Sequence, residues 1–398
     1  MRLILKNYQT QHYQTAKKIA PLNLFHWLDS LPIFPKVYWK AKGQDIEIAA
    51  VGKIIEFDHP PIFDPANEST ARFYGGKAFS KTEGLWHHFP HCIFFLPAFE
   101  IIQEKNQTTL LIHSLDSPSQ QECSLLSEEK MNLFSAMARK DLPSFEQWEK
   151  LVSDFLQSKT TLGLEKIVLA RQTSFQLSNP PAPFHLLSKL EQKNATLYGF
   201  QFAPTAAFIG ATPEKLYHRK DRKIFSEAIA GTRPITVSGE ELLKSEKDKR
   251  EFQFVKDYIQ TALSPLCREL AEGKNQLLAT AGVQHLYCPF QGDLKETTTD
   301  AMLLDALHPT PAVNGTPKEA AFDYLNRVEP FHRGWYASAL GTISQQEAEF
   351  SVGIRGALVE GSNIHLYAGG GLVNGSSAKD EWEEREHKIA LFKKVLFV

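Results

Sequence analysis

The chain has 398 residues, of which 42% are hydrophobic and 23% are charged, and its formal net charge is −2. This length and composition are typical of a globular protein that can bury a large core. The near-zero charge provides no basic surface for nucleic acid or anionic lipid, and no apolar stretch reaches the roughly eighteen residues of a transmembrane helix. We therefore expect neither nucleic acid nor a membrane as a partner.

The four cysteines, Cys92, Cys123, Cys267 and Cys288, lie far apart and form no CxxC pair. This spacing favours neither a zinc site nor a disulfide framework, so we expect reduced cysteines. The apolar run at the start of the sequence is too short for a secretory signal. These features predict a cytoplasmic protein.

The first 115 residues predict short strands separated by turns. Alternating and β-branched or aromatic residues occur in "KVYWKAKG" (36–43), "DIEIAAVGKIIEF" (45–57) and "CIFFLPAFEIIQEKNQTTLLIHSL" (92–115). Within the last segment, "EKNQ" (104–107) is a predicted hairpin connection. The polar segment 116–130 is the best candidate for a linker.

Beyond residue 140, strand and helix patterns mix. A Ser-x-x-Gln capping box opens a predicted helix in 144–165, residues 239–270 predict one long amphipathic helix, and 316–328 predict a shorter one. Strands are predicted between and after these helices, in 166–177, 196–211, 214–231, 336–345, 349–361 and 363–373. Blocks of strands interrupted by helices favour an α+β architecture.

The stretch "YAGGGLVNGSSAKDEWEEREHK" (367–388) joins three glycines to an acidic helix. Glu381, Glu384 and Lys388 have the spacing of one helix face, whereas Glu383 points elsewhere. Like charges at this density repel one another unless a cation lies among them, and a glycine-rich strand before a helix can hold an anion. The alternative is a solvated surface helix. A dinucleotide fingerprint is excluded, because Asn374 stands where GxGxxG needs a glycine.

A second carboxylate pair lies in the predicted long helix. Asp248 and Glu251 are three residues apart, so they share a face. Together with the C-terminal pair they could supply the oxygen ligands that Mg²⁺ prefers. The alternative is salt bridging to the neighbouring Lys247, Lys249 and Arg250.

Two further residues are candidates for proton transfer. Lys166 opens the apolar strand "KIVLAR" and is either a desolvated base or a lysine whose amine reaches water. Glu214 follows Thr-Pro at a turn between apolar strands. Burial there would raise its pKa and make it an acid, although it could also be an ordinary glutamate at a strand edge.

Several residues in the last hundred positions predict anion binding or a rigid wall. His308 lies in the proline-rich loop "ALHPTPAVNGTP", and Arg333, Tyr336 and Arg355 lie among apolar strands. An arginine in a buried strand needs an anionic partner, either a protein carboxylate or one on a substrate. The histidines of "HHFPH" have no local carboxylate or cysteine to complete a metal site, so we interpret them as structural or surface residues.

Eight ordered blocks in residues 160–390 resemble the chorismate-utilising enzymes, the family of isochorismate, salicylate, anthranilate and aminodeoxychorismate synthases. The blocks are "KIVLAR", "FIGATPEKL", "EAIAGTRP", "EKDKREFQFV", "LHPTPAVNGTP", "EPFHRGWYASALG", "SVGIRGAL" and "YAGGGLVNGSSAKDEWEE". The resemblance implies an α+β fold, a large β-sheet sandwich with helices packed outside. It also implies one chorismate-binding domain over 1–398, with a divergent strand-rich part in 1–120 and the catalytic motifs in 150–398.

The resemblance also implies roles for individual residues. Glu251 and Glu384 would bind Mg²⁺, with Asp248 and Glu381 supporting them or binding through water, and the metal would hold the ring carboxylate of chorismate. The remaining substrate contacts would come from donors to the ring carboxylate (Gly231, Thr232, Lys388), from groups that hold the enolpyruvyl carboxylate (Tyr336, Arg355, Gly369), and from His308 beside the ring.

The implied reaction is addition of water at ring C2 with loss of the C4 hydroxyl, with Lys166 as the base and Glu214 as the acid. "SEAIAGT" is most similar to the menaquinone-type isochorismate synthases, which predicts an isomerase that forms isochorismate from chorismate and acts as a monomer or weak homo-oligomer. The alternatives are a salicylate synthase, which goes on to eliminate pyruvate, an aminodeoxychorismate or anthranilate synthase component, and a relative that binds chorismate without turnover.

Overall fold

The computed structural model describes residues 2–5, 8–64, 66, 68–80, 86–105, 107–115, 117, 122–126, 134–190, 194–236, 238–280 and 283–397. Their strands are β1 (Arg2–Leu5), β2 (Tyr8–Ile19), β3 (Lys36–Lys40), β4 (Ile46–Val51), β5 (Ile55–Phe57), β6 (Arg72–Lys77), β7 (Cys92–Leu96), β8 (Phe99–Glu104), β9 (Gln107–Leu115), β10 (Ala136–Leu142), β11 (Lys166–Leu177), β12 (Thr196–Ala203), β13 (Ala206–Thr212), β14 (Lys215–Lys220), β15 (Lys223–Pro234), β16 (Cys267–Glu272), β17 (Gln276–Thr280), β18 (Val283–Leu294), β19 (Gly315–Thr316), β20 (Ala339–Ser344), β21 (Glu347–Val352), β22 (Gly356–Glu360) and β23 (Asn363–Leu372). Their helices are α1 (Leu24–Ser30), α2 (Phe145–Ser158), α3 (Pro183–Ser188), α4 (Gly239–Lys244), α5 (Glu246–Leu263), α6 (Asp300–Leu307), α7 (Lys318–Val328) and α8 (Ala378–Leu396), with a 3-10 turn at Ser264–Leu266.

The strands form two large sheets. The first has the order β1-β2-β9-β8-β4-β3-β12-β13-β22-β23-β11-β10, and β19 pairs with β11. The second has the order β16-β18-β15-β14-β21-β20-β6-β7-β5, and β17 pairs with β18. Strands from the first 115 residues and strands from the C-terminal half therefore share both sheets.

Alternation along the strands divides the core into two layers. In β4, Ile48 and Ala50 belong to the hydrophobic cluster that also contains residues of the second sheet, such as Phe94 of β7. Ala49 and Val51 belong to the cluster on the opposite face, beneath α1 and α3. Because successive side chains of a strand point to opposite faces, this alternation buries both faces of the first sheet. The predicted α+β sheet sandwich with outer helices is confirmed.

Two connections cross from one sheet to the other at the same place. Pro213 and Glu214 lie between β13 of the first sheet and β14 of the second, and residues 353–355 lie between β21 and β22. The two crossings are hydrogen-bonded to each other: Ala211 N donates to Arg355 O at 3.2 Å, and Val352 N donates to Glu214 O at 3.1 Å. Glu214 and Arg355 are therefore neighbours despite their separation in sequence.

The prediction of one long helix over 239–270 is wrong. Ser245 interrupts it by capping α5, and its side chain accepts a hydrogen bond from Asp248 N. Pro265 lies in the 3-10 turn that ends the helix, and β16 begins at Cys267. A serine that can cap a helix and a proline that cannot continue one outweigh the hydrophobic periodicity.

Other sequence predictions have mixed outcomes. The capping box of α2 forms between Ser144 and Gln147, and β8 and β9 form the predicted hairpin. The predicted strand 349–361 is instead β21 and β22, separated by the sheet crossing. Most of the predicted linker 116–130 lies outside the described residues. The short helices α1, α3 and α6 were missed, since six to eight residues carry little periodicity.

Within the described ranges, no helix combines the length and the apolar character that a membrane crossing requires.

Helix α2 provides a test of the core. Phe155 is fully buried, whereas Phe145 on the same helix is 39% exposed. We expect Phe155→Ala to lower the free energy of unfolding by about 3–5 kcal/mol, because it removes contacts and leaves a cavity. Phe145→Ala should cost clearly less. Denaturant unfolding monitored by circular dichroism measures both, and equal losses would contradict the placement of α2.

Candidate active site

A cavity lies where β11 and β23 of the first sheet meet β15 and β18 of the second, beside α5 and α8. Nine of the thirteen site residues predicted from the sequence line it: Glu214, Gly231, Thr232, Glu251, Tyr336, Arg355, Gly369, Glu384 and Lys388. The other four, Lys166, Asp248, His308 and Glu381, do not.

The glycines of β23 create the space for charged side chains. Gly369, Gly370 and Gly371 pair with Ala170, Leu169 and Val168 of β11. A Cβ atom on Gly371 would lie 2.0 Å from Glu251 Oε1, and one on Gly370 would lie 2.8 Å from Arg385 Nη2. Any larger residue would therefore exclude the side chains that α5 and α8 place against this strand.

Two carboxylates from different helices face the cavity, each next to a lysine. Lys166 Nζ lies 3.1 Å from Glu251 Oε1, and Lys388 Nζ lies 2.5 Å from Glu384 Oε1. Lys388 Nζ also donates to Gly369 O at 2.8 Å. Each of the two carboxylates at the cavity is therefore paired with a cation, Glu384 with Lys388 in the lining and Glu251 with Lys166 behind it.

The pKa values of the two carboxylates move in opposite directions. Burial raises the pKa of Glu251, and the charge of Glu384 adds to this effect while Lys166 opposes it. Burial also acts to raise the pKa of Glu384, but Lys388 and other nearby cations outweigh it and lower that pKa to about 2. Glu384 is therefore an anion at neutral pH. Its negative charge disfavours the charged form of Glu251 and helps to raise the pKa of Glu251.

Lys166 lies directly behind the cavity lining. Its side chain is fully buried, and Nζ makes no hydrogen bond within the described part of the chain although Glu251 lies within ion-pair distance. The sequence left open whether this amine reaches water. In the structure it does not, and it contacts the cavity lining through Glu251.

Asp248 and Glu381 are engaged by other cations. Arg233 donates to Asp248 Oδ2 from Nε at 3.1 Å and from Nη2 at 2.8 Å. Glu381 Oε1 lies 2.7 Å from Lys247 Nζ, and Arg385 Nη1 lies 3.3 Å from Glu381 Oε2. The salt-bridge alternative for these two carboxylates therefore holds in this structure.

The carboxylates at the cavity fit Mg²⁺ only if water or substrate supplies the other ligands. Among the residues that the structure describes, no group of three or more His, Cys, Asp or Glu side chains is arranged as a metal site. Glu251 and Glu384 nevertheless line one cavity, and Mg²⁺ in proteins is commonly held by one or two carboxylates together with water and an anionic substrate. The residues thus fit an ion that takes its remaining ligands from water or substrate.

Glu214 has the properties of a proton donor. It is 6% exposed, and its backbone N donates to Thr212 Oγ1 at 3.2 Å. Burial, followed by the negative charge of Glu227, raises the pKa of Glu214 to about 7, while Lys166 and Lys42 act in the opposite direction. Near neutral pH a large fraction of this carboxyl group is protonated.

Arg355 and Arg333 have different partners. Arg333 is paired with Glu329 at 2.6 Å, so its partner is a protein carboxylate. Arg355 has no carboxylate partner in an ion pair among the described residues; its Nη1 donates to Lys388 O at 3.4 Å. Its backbone φ of 52° is in the left-handed region that a branched or long side chain rarely adopts. A partly buried guanidinium held in this way is suited to an anion that enters the cavity.

The structure does not place His308 in the cavity. His308 is buried, and its Nε2 donates to Ala337 O at 2.8 Å. Burial lowers the pKa of His308 to about 3, so the ring is neutral. The proline-rich loop directs this side chain towards the segment before β20, whereas Ala312 and Val313 of the same loop line the cavity.

Among the cavity residues that the sequence analysis missed, His285 and Tyr367 carry ring side chains that contact predicted site residues. His285 Nδ1 lies 3.1 Å from Thr232 Oγ1, and burial lowers the pKa of His285 to about 3. Tyr367 stacks on Tyr336 with ring centroids 5.2 Å apart. Tyr367 lies two residues before the three glycines on the same strand, which is a signal that could have identified it. The position of His285 beside Thr232 depends on the pairing of β15 with β18, which no local sequence pattern reveals.

Substitution of Arg385 tests whether buried cations offset the charge of the carboxylates on α8. It is fully buried, and its Nη2 donates to Leu169 O at 2.9 Å and to Gly370 O at 3.0 Å. We expect Arg385→Met to lower the free energy of unfolding by about 3–5 kcal/mol, because it leaves Glu381 buried with less compensation.

The matched control is Arg268→Met. Arg268 is 58% exposed in its ion pair with Glu296, so its loss should cost less than about 1 kcal/mol. Chemical denaturation measures both variants. Equal stability of Arg385→Met and the unmodified protein would contradict this role of Arg385.

Comparison with known proteins places these features in a family. Residues 62–397 match the model of the chorismate binding enzymes. Isochorismate synthase MenF of Haemophilus influenzae is 30% identical over 392 residues, which cover 94% of this chain and 89% of that protein.

Solved structures agree with this match. The structure of MenF, the menaquinone-specific isochorismate synthase of Escherichia coli, superimposes with a TM-score of 0.86 at 26% identity, covering 97% of this chain and 95% of that one. Anthranilate synthase component I of Streptococcus pneumoniae has the same fold, with a TM-score of 0.71 at 18% identity, covering 89% of this chain and 93% of that one. The chain belongs to the family of chorismate binding enzymes.

Proposed function

We propose that this protein is an Mg²⁺-dependent isochorismate synthase, an isomerase that converts chorismate to isochorismate. The observation that carries the proposal is one cavity lined by Glu214, whose pKa is raised to about 7, by two further carboxylates, Glu251 and Glu384, and by Arg355, which has no carboxylate partner among the described residues. The identity with isochorismate synthase MenF, at 30% over most of both chains, supports the same reaction.

The cavity provides partners for a substrate with two carboxylates. Arg355 and Tyr336, with the backbone at Gly369, would hold the enolpyruvyl carboxylate, since Arg355 has no described carboxylate partner. Gly231 and Thr232, with Lys388 nearby, would hold the ring carboxylate. Charge-assisted hydrogen bonds of this kind bind and orient a dianion more strongly than neutral contacts do.

The proposed reaction uses a base and an acid. Lys166 takes a proton from water as the water oxygen bonds to ring C2, both ring double bonds shift, and the C4–oxygen bond breaks. Glu214 gives its proton to the departing hydroxyl, which leaves as water. The proposal requires Glu251 to turn away from Lys166 when substrate binds, because their contact encloses the amine in this structure.

Glu251 and Glu384 are the proposed metal ligands. Mg²⁺, when bound, would supply positive charge that neutralises and orients the ring carboxylate. Asp248 and Glu381 would act in support, by holding Arg233 and Lys247 beside the two ligands.

We further propose a role in menaquinone biosynthesis in the cytoplasm. The superposition on a menaquinone-specific isochorismate synthase favours this over the other pathways that draw on chorismate. The spacing of the cysteines agrees with a reducing compartment.

Product analysis tests the proposed function. The purified protein is incubated with chorismate and Mg²⁺, with and without ammonium, and the products are separated by chromatography. We expect isochorismate in both cases. Salicylate with pyruvate would indicate a salicylate synthase instead, and an amino-substituted product that requires ammonium would indicate an anthranilate or aminodeoxychorismate synthase.

Two substitutions test the assigned roles. Lys166→Ala and Glu214→Gln should each lower kcat by about 10²–10⁴-fold, because each removes one proton-transfer step, while Mg²⁺-dependent chorismate binding stays measurable by calorimetry. Lys244→Ala and Glu240→Gln, which alter an exposed pair on α4, are the controls. Normal turnover by either site variant would remove that residue from its role.

A third substitution tests the metal ligands. Glu384→Gln should raise the Mg²⁺ concentration needed for half-maximal activity by at least about tenfold, because an amide is a poorer ligand than a carboxylate. Glu383→Gln, one residue away and exposed, should titrate normally. Identical titrations for the two variants would exclude Glu384 from the ligand set.

A further inference from the structure

Lys42, from the strand-rich N-terminal part, reaches the cavity wall. It follows β3, and its backbone N donates to Thr196 Oγ1 at 3.1 Å. Its Nζ donates to Glu227 Oε1 at 2.8 Å and to Pro213 O at 2.9 Å. The two side chains of the ion pair are 14% and 2% exposed, so the contact is largely shielded from water.

Glu227 contacts the other side of the same turn. Its Oε1 also accepts a hydrogen bond from Lys215 N at 2.9 Å. The ion pair therefore holds Pro213 through Lys42 and Lys215 through Glu227, which are the residues on either side of Glu214. Glu214 itself is fixed through its N–H to Thr212 and through its carbonyl to Val352 N.

We propose that the buried ion pair of Lys42 and Glu227 positions Glu214 for proton donation to the substrate. The inference rests on the proposed function of the cavity. It gives the N-terminal part of the chain a role in the reaction, because Lys42 lies outside the segments that carry the catalytic motifs. Lys42 and Glu227 are positioning residues, since they act through Glu214.

The ion pair also affects the charge state of Glu214. The groups that act on its carboxyl are Glu227 on β15, Lys166 on β11, Lys42 after β3 and Thr310 in the proline-rich loop. After burial, the charge of Glu227 is the largest contribution that raises the pKa of Glu214, and the lysines oppose it. A buried carboxylate is retained at such a position only with a partner, which Lys42 provides.

The protonation state of Glu214 determines how activity depends on pH. The proton on Glu214 is lost as pH rises through its pKa, so the alkaline fall of kcat/KM reports this group. Glu227→Gln removes the negative charge, lowers the pKa of Glu214, and moves the alkaline fall to lower pH. If the ion pair of Lys42 and Glu227 only stabilised the fold, its loss would change the melting temperature but would leave the alkaline fall of kcat/KM, the alkaline limb of the pH profile, at the same pH.

The test compares kcat and KM between pH 5 and pH 9 for the intact protein with chorismate and Mg²⁺. Glu227→Gln and Lys42→Met should lower kcat by about 10- to 100-fold with little change in KM, because a displaced acid affects the chemical step more than binding. Glu227→Gln should also move the alkaline limb down by about one pH unit. Lys42→Arg keeps both the charge and the donors, so it should restore most of kcat.

Lys40→Met is the matched control. Lys40 lies two residues before Lys42 and forms a partly exposed ion pair with Glu47, so its loss should leave kcat and the pH profile unchanged. Circular dichroism and thermal unfolding establish that each variant is folded. Glu227→Gln is isosteric, so it keeps the test valid if Lys42→Met does not fold.

Two results would overturn the inference. One is a folded Glu227→Gln variant with the kcat and the alkaline limb of the unmodified protein. The other is a fall in kcat that accompanies a lower melting temperature while the limb stays in place. If the unmodified protein forms no isochorismate, the proposed function and this inference fall together, whereas turnover with unaffected variants overturns the inference alone.

Discussion

The site depends on carboxylates from two helices that pack against one glycine-rich strand and on the cations that offset their charge. Glu251 comes from α5, and Glu381 and Glu384 come from α8. Three carboxylates this close repel one another, and burial adds to the cost of each charge. Lys166, Lys247, Lys388 and Arg385 offset that cost in pairs of defined geometry. The arrangement also requires the glycines of β23, because a Cβ at Gly371 would displace Glu251.

The two sheet crossings supply the other half of the cavity. Glu214 and Arg355 lie on separate crossings that hydrogen-bond to each other, so the proposed proton donor and the proposed anion-binding arginine are held by two segments of backbone that fix one another. Backbone fixed in this way loses little entropy when substrate binds, which favours a preorganised site. Lys42 extends the same framework into the N-terminal strands and explains how they contribute to a site built from distant segments.

Local sequence patterns predicted individual elements well. The apolar strand pattern in residues 166–177 and the Ser-x-x-Gln start of α2 depend on neighbours in the chain, and both appear in the structure as predicted. The error over 239–270 arose because hydrophobic periodicity continued past Ser245 and Pro265, whose backbone chemistry ends a helix. Spacing placed Glu381 and Glu384 on one face but could not show that Arg385 and Lys247 engage the first and leave the second facing the cavity. The partner of each charge is a tertiary property, as are the orientation of His308 and the pairing that brings His285 to Thr232. The assignment of roles came from the resemblance of whole motifs to a family, and not from spacing.

The central claim is that Glu251 and Glu384 converge on one divalent ion that also binds the substrate. Anomalous diffraction from crystals grown with Mn²⁺ and isochorismate tests it most directly, because Mn²⁺ substitutes for Mg²⁺ and its anomalous signal locates it without reference to its ligands. We predict a single peak within bonding distance of both carboxylates, with a ligand carboxylate completing the shell and Lys166 separated from Glu251. A ligand bound in the cavity with no ion near Glu251 or Glu384, or an ion held elsewhere, would contradict the account.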